Sequence, residues 1–344
     1  MALVDFNPHT TNDTFYYAES STTVANFIKA ITTELTANAG VTYNWTMVYP
    51  KTGGVDAVND KVIISAITSF GKTFYLKIFR IIGTDSTYPL AYINMAIGTA
   101  LNVAGDDFAD GTGSPVTKLS WYKDTLDPSI KGWLPINYWI NVDKDAVNLV
   151  VRGDPSADYY PYDKFLTGFA YIGALKPVES GQATDDVYNF GITTTSSTAP
   201  TFTTTYGPRT GTGVTDVCMI ANKIGLPFQP HYPSFYTANP DMDKMNVEGS
   251  RWNNQKHQFS DITLVHPVDM ERGKMINVLS GDISALYDND KLVFKQNTIS
   301  QEMYKKFQVT APYSFLNNSA NVNYCVAIRC YNDDKTYQVD NGVA

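Results

Sequence analysis

Short runs of β-branched and aromatic residues recur along this chain, each cut off by a polar turn segment, and that punctuation restricts the fold more than any other feature. The first runs are YNWTMVY (43–49), KVIISAIT (61–68), TFYLKIFRII (73–82) and YPLAYINMAIG (88–98). Such residues suit a pleated, half-buried surface. WLPINYWINVD and AVNLVVRGD read as two more strands, joined by a turn at Asp143-Lys144-Asp145. On the second, Val147, Leu149 and Val151 share one face, while Asn148, Val150 and Arg152 share the other. Both faces therefore carry apolar side chains. FLTGFAYIGAL (165–175), interrupted by Gly168 and Gly173, completes a meander. Later runs are DITLVHPVDM, closed by Pro267, then MINVLSGDISALYDNDKLVFK, YKKFQVTAPYSF and NVNYCVAIRCY.

One segment has helical spacing. In TTVANFIKAITTELTANA (22–39), Val24, Phe27, Ile28, Ile31 and Leu35 fall on one face. Ser21 or Thr22 is placed to cap its start and Gly40 to end it. Its threonines lower its intrinsic propensity, so it must lean on a sheet or another helix. In VTDVCMIANKIG (214–225), positions 217, 220, 221 and 224 suit a short helix, with a strand as the alternative. Prolines 227, 230 and 233 predict an irregular segment. The expected fold is mainly β with few helices (α+β): antiparallel sheets or a β-sandwich core, long polar loops and one N-terminal amphipathic helix.

With 344 residues, the chain has room for two domains or one large β domain. NFGITTTSSTAPTFTTTYGPRTGTG is too polar to form a core. The expected division is an α+β domain at 1–180, an extended Thr/Ser-rich loop or linker at 181–213, and a β-rich region at 214–344. Residues 1–20 read as an extended arm.

Charge and cysteine content narrow the partners. A formal net charge of -8 argues against a nucleic-acid footprint. Cys218, Cys325 and Cys330 are too few for a stapled scaffold, and five residues on one strand put the last two on opposite faces. The opening MALVDFNPHTTNDTFYY lacks a basic start and a continuous apolar core, so no secretory leader is expected. No apolar run approaches a membrane span. The 23 tyrosines suit both sheets and broad, wet protein contacts.

Chemical signatures are sparse. GKT at 71–73 lacks the glycine-rich half of a phosphate-binding loop and precedes a strand. His9, His231, His257 and His266 have no metal-ligand spacing. Asp106, Asp107 and Asp110 in GDDFADGTGSP offer oxygens to a calcium ion, but without regular loop spacing they read as a solvated turn. Asp241 and Asp243 begin a calcium-like loop that fails at Met245 and Asn246. Ser284 in GDISAL does not sit in a nucleophile elbow. Arg152-Gly153-Asp154 spells a tripeptide read by cell-surface receptors, yet a valine run before it and Pro155 after it mark a strand end and a turn. No catalytic residue, metal ligand or cofactor is expected. Tyr159, Tyr160 and Tyr162 in the following loop are candidate aromatic anchors for a protein contact.

WINVDKDAVNLVVRGD, then FAYIGAL, then DITLVHPVDMERGKMINVLSGDISALYDNDKLVFKQNT and YKKFQVTAPYSF resemble, in texture and segment order, structural proteins of tailed bacteriophages and related prophage particles. The likeness covers roughly 120–175 and 260–330. It implies a virion component of the tail, baseplate or neck, assembled in the host cytoplasm. Such a component is not an enzyme; its partners are copies of itself in a homo-oligomeric ring and other virion proteins, with no membrane. The extended segments at 1–20 and 190–213, the GDDFADG loop and the tyrosine loop are then the contact elements. A receptor- or glycan-binding tip protein and a cell-wall hydrolase are the alternatives.

Overall fold

The computed structural model describes residues 3–4, 9–10, 20–36, 45–50, 61–79, 92–120, 136–153, 167–176, 190–193, 219–221, 229–233, 251–252, 258–266, 270–281, 291–295, 301–311 and 322–330. The fold is mainly β, with antiparallel pairing throughout these residues and one helix near the start.

Helix α1 spans Ser20–Thr36. It begins two residues before the expected start, so Ser21 and Thr22 lie inside it. Phe27, Ile28, Ile31 and Leu35 are buried, as the spacing requires. The threonines are accommodated by back-bonding: Thr32 Oγ1 donates to the Ile28 carbonyl at 2.7 Å and Thr36 Oγ1 to that of Thr32 at 2.8 Å. Each hydroxyl is satisfied within the helix instead of competing with it.

Five strands form one sheet in chain order: β3 (Thr46–Tyr49), β4 (Val62–Ile67), β5 (Thr73–Phe79), β6 (Tyr92–Gly98) and β7 (Thr117–Ser120). The second sheet is longer. It starts at β1 (Leu3–Val4) and β2 (His9–Thr10), which both pair with β8 (Ile136–Val142). It continues through β9 (Ala146–Gly153), β10 (Thr167–Ala174), β11 (Phe190–Thr193), β12 (Met219–Ala221) and β13 (Gln229–Pro233). Beyond it run β15 (Gln258–His266), β16 (Met270–Gly281), β19 (Val322–Cys330), β18 (Gln301–Ala311) and β17 (Lys291–Lys295), with β14 (Arg251–Trp252) beside β15.

Residues 219–221 form a strand, the second of the two alternatives, because β11 and β13 pair with them on either side. One expectation fails in this stretch. The prolines at 230 and 233 do not prevent a strand. β13 pairs with β12 through Gln229–His231 and with β15 through Tyr232 and Pro233, so neither ladder needs an N–H from every residue. β11 lies within the Thr/Ser-rich stretch and is paired on both edges.

At β13 the long sheet passes from one partner to the next, and β15–β19 lie over β8–β10. Alternation along the middle strands shows the result. Tyr138, Ile140, Val147, Leu149, Val151 and Ile172 join a core with α1 and the five-stranded sheet. Trp139, Val150, Phe169 and Tyr171, on the opposite face, join a second core with Ile262, Phe307 and Val326. The described residues form three β layers, the middle one buried on both sides. Trp45 packs edge-on against Phe74 at 5.4 Å in the first core, and Trp139 meets Phe307 at 4.8 Å in the second.

Candidate functional site

Polar and ionisable groups collect at the β8–β9 turn, where the three layers meet. Asp143 N donates to the Ala146 carbonyl at 2.8 Å, closing the turn. Asp145 is nearly buried, and its carboxylate accepts from Ser69 N and Ser69 Oγ, both at 2.6 Å. This fixes the β4–β5 turn, which contains Gly71 and Lys72. Strand β5 starts at Thr73, so GKT opens a strand, as expected. The Asp143 carbonyl accepts from Trp45 Nε1 at 2.7 Å, and its carboxylate from Asn277 Nδ2 at 2.8 Å. One turn thus ties the five-stranded sheet to β16. Gly173 makes the arrangement possible. Its φ is +143°, and a Cβ there would run into the Asp145 carbonyl that accepts from Ala174 N at 2.8 Å.

A second polar group lies between the middle and outer layers. Asn141, Asn148 and Tyr171 are cross-strand neighbours on β8, β9 and β10. Between the pairs Asp261–Leu279 and Thr263–Lys274, the single residue Ile262 stands opposite four residues of β16. This bulge turns the Ile276 peptide groups toward the middle layer. Ile276 N donates to the Tyr171 hydroxyl at 3.2 Å, and the Ile276 carbonyl accepts from Asn148 Nδ2 at 3.0 Å. The Tyr171 hydroxyl donates to the Ala174 carbonyl. Asn148 Nδ2 also reaches Asn141 Oδ1 at 3.1 Å, and Asn141 Nδ2 reaches the Arg329 carbonyl at 3.1 Å. Burial holds the Tyr171 hydroxyl well above the usual tyrosine range, against the Ile276 N–H, with Asp143 and Asp145 adding to the rise. Sequence reasoning missed this group. Its signal was two asparagines equidistant from one turn, on the face that also carries Trp139 and Val150.

The acidic loop is ordered as well as partly solvated. Residues 98–113 fold back as an ordered hairpin with bridges at Gly98–Gly113 and Leu101–Phe108. The Phe108 ring sits across Gly98 and Gly113, where any Cβ would fall within 3 Å of it. Asn102 Oδ1 accepts from Gly105 N at 2.8 Å, and Asn102 Nδ2 donates to Asp106 Oδ1 at 2.8 Å. Lys61 Nζ donates to the Asp106 carbonyl at 2.7 Å. Lys77 Nζ pairs with Asp107 Oδ1 at 2.6 Å and lies 4.8 Å from the Phe108 ring centroid. Partial burial raises the Asp107 carboxyl, but hydrogen bonds from Lys77 and Phe108 N and the charges of Lys77 and Lys61 outweigh it and hold it below its ordinary value. One carboxylate oxygen each of Asp106 and Asp107, Oδ1, is thus engaged by protein donors. At the tip, Val103 is fully exposed.

Arg152 and Gly153 are the last residues of β9, paired with Asn137 and Ile136 of β8, so the tripeptide does begin at a strand end. Asp154, Tyr159, Tyr160 and Tyr162 lie outside the described residues, as do Cys218, Asp241, Asp243, His257 and Ser284. His9, His231 and His266 lie in β2, β13 and β15. Cys325 and Cys330 both lie in β19. Among the described residues, no three His, Cys, Asp or Glu side chains gather as a metal site, and no helix is long and apolar enough to cross a membrane. Compared with known family models, curated proteins and solved structures, the chain matches none.

Proposed function

We propose that this chain is a structural component of a tailed-phage particle or related prophage particle, assembling through protein–protein contacts into a ring or oligomer of the tail, baseplate or neck. The observation that carries the reading is the use made of the polar side chains at the centre of the fold. Asp143, Asp145, Asn141, Asn148 and Tyr171 bind other layers of the same frame. They stiffen a scaffold instead of converging on a substrate. The hairpin carrying Val103 adds a projection with an apolar tip, which suits a contact element. The resemblance in segment order supports the same reading and supplies the particle context.

The test is the mass of the purified chain in solution across a wide concentration range, with images of the same sample. A closed oligomer of fixed subunit number is expected. A single chain at every concentration that also fails to join other particle proteins would count decisively against it.

A further inference from the structure

We propose that the segment preceding α1 is exchanged between copies of this chain, so that β1 and β2 of one copy cover the β8 edge of the next. The inference rests on the assembly reading above and gives it a surface and a register. Four backbone pairs define the match: Leu3–Val142, Val4–Asn141, His9–Tyr138 and Thr10–Asn137. A second copy presents the same sequence to the same edge, so exchange preserves every one of these pairs.

The need for a cover comes from β8 itself. INYWINV carries no charge and no proline, and Tyr138 to Val142 are all buried. A terminal strand of that kind invites uncontrolled pairing unless something lies along it. The other terminal strands have their own safeguards. β3 is irregular between Met47 and Tyr49 and stops at Pro50, β7 carries Lys118, and β17 begins and ends on Lys291 and Lys295. Only at β8, among the described terminal strands, does a separate stretch of chain do this work.

Reach permits the exchange. Nine residues, 11–19, separate Thr10 from Ser20. Ten Cα steps span at most about 35 Å, on the order of the width of a small domain. The cover can therefore lie on its own β8 or on that of an adjacent copy without moving α1 from its core.

The experiment uses the Thr10–Asn137 pair, because opposed residues in an antiparallel ladder lie within disulfide reach. Thr10→Cys and Asn137→Cys chains are co-expressed as two single variants, oxidised, and run on a non-reducing denaturing gel. The wild type controls for Cys218, Cys325 and Cys330. Exchange predicts a linked two-chain species at least tenfold above the wild-type background, and linked ladders from the double variant. If the double variant links only within one chain and the mixture stays unlinked while native mass still shows an oligomer, exchange is wrong and assembly stands. Single chains throughout the native measurement overturn both. No linkage in either arrangement means the segment does not lie on β8, which also overturns the proposal.

Discussion

Tyr171 lies wholly out of water, and its hydroxyl both donates to Ala174 and accepts from Ile276. Tyr171→Phe leaves the Ile276 N–H without that acceptor in a buried interface, and the expected loss is about 1–3 kcal/mol. The loss depends on pH. In the unfolded chain tyrosine titrates near 10.0, while burial raises the folded value well above it. Between the two, the unfolded state has released its proton and the folded state has not. The stability tied to the neutral hydroxyl is therefore complete below the unfolded value and lost as pH rises toward the folded one. Urea unfolding at about pH 8 and about pH 10.5 should show the gap between wild type and Tyr171→Phe narrowing at the higher pH. A constant gap would remove the linkage. Asp145 offers a second test, since both carboxylate oxygens hold Ser69. Asp145→Ala should cost about 3 kcal/mol and Asp145→Asn about half that, because one acceptor oxygen survives. Equal losses would mean that only the charge matters.

Among the elements, the acidic hairpin joins chemistry to packing most directly. Asp107 is half exposed, with 49 % of its side chain open to solvent, so its pair with Lys77 is screened and contributes under about 1 kcal/mol. Its carboxyl is held below its ordinary value. That contribution is present above the unfolded value and is lost as pH falls through the folded one. Asp107→Asn should then be the less stable chain at neutral pH and converge with wild type in acid, read as paired thermal midpoints. The hairpin also shows where sequence reading stops. Acidic residues beside glycines read only as a solvated turn, because the lysines that seat them, Lys77 and Lys61, come from distant stretches of chain. Local pattern sufficed for α1, whose buried face is written in its own spacing, and for β4, β5, β9 and β10, whose runs of β-branched and aromatic residues mark them as strands. At β12 it left helix and strand open, and at β13 it failed, because pairing with β12 and β15 overrides proline content. It was also silent on the β16 bulge, which arises only from pairing with β15.

For the whole molecule, the decisive feature is that consecutive residues of β9 serve different cores. Val150 faces the outer layer with Trp139 and Phe307, and Val151 faces α1 and the five-stranded sheet. A strand cannot leave one core and remain ordered for the other, because its backbone ladders with β8 and β10 are common to both. The turn at Asp143–Asp145 adds direct bonds to Trp45, Ser69 and Asn277. Loosening either outer layer should therefore loosen the middle one. Val150→Ala and Val151→Ala each remove two methyl groups from a different core and should each cost about 1–3 kcal/mol. If the three layers are one cooperative unit, both variants shift the same single transition, seen alike by tryptophan fluorescence and by far-ultraviolet dichroism. If either variant splits the transition in two, the layers unfold separately. The frame would then lack the stiffness needed to set subunit geometry in a ring, even if the segment before α1 reaches a neighbour.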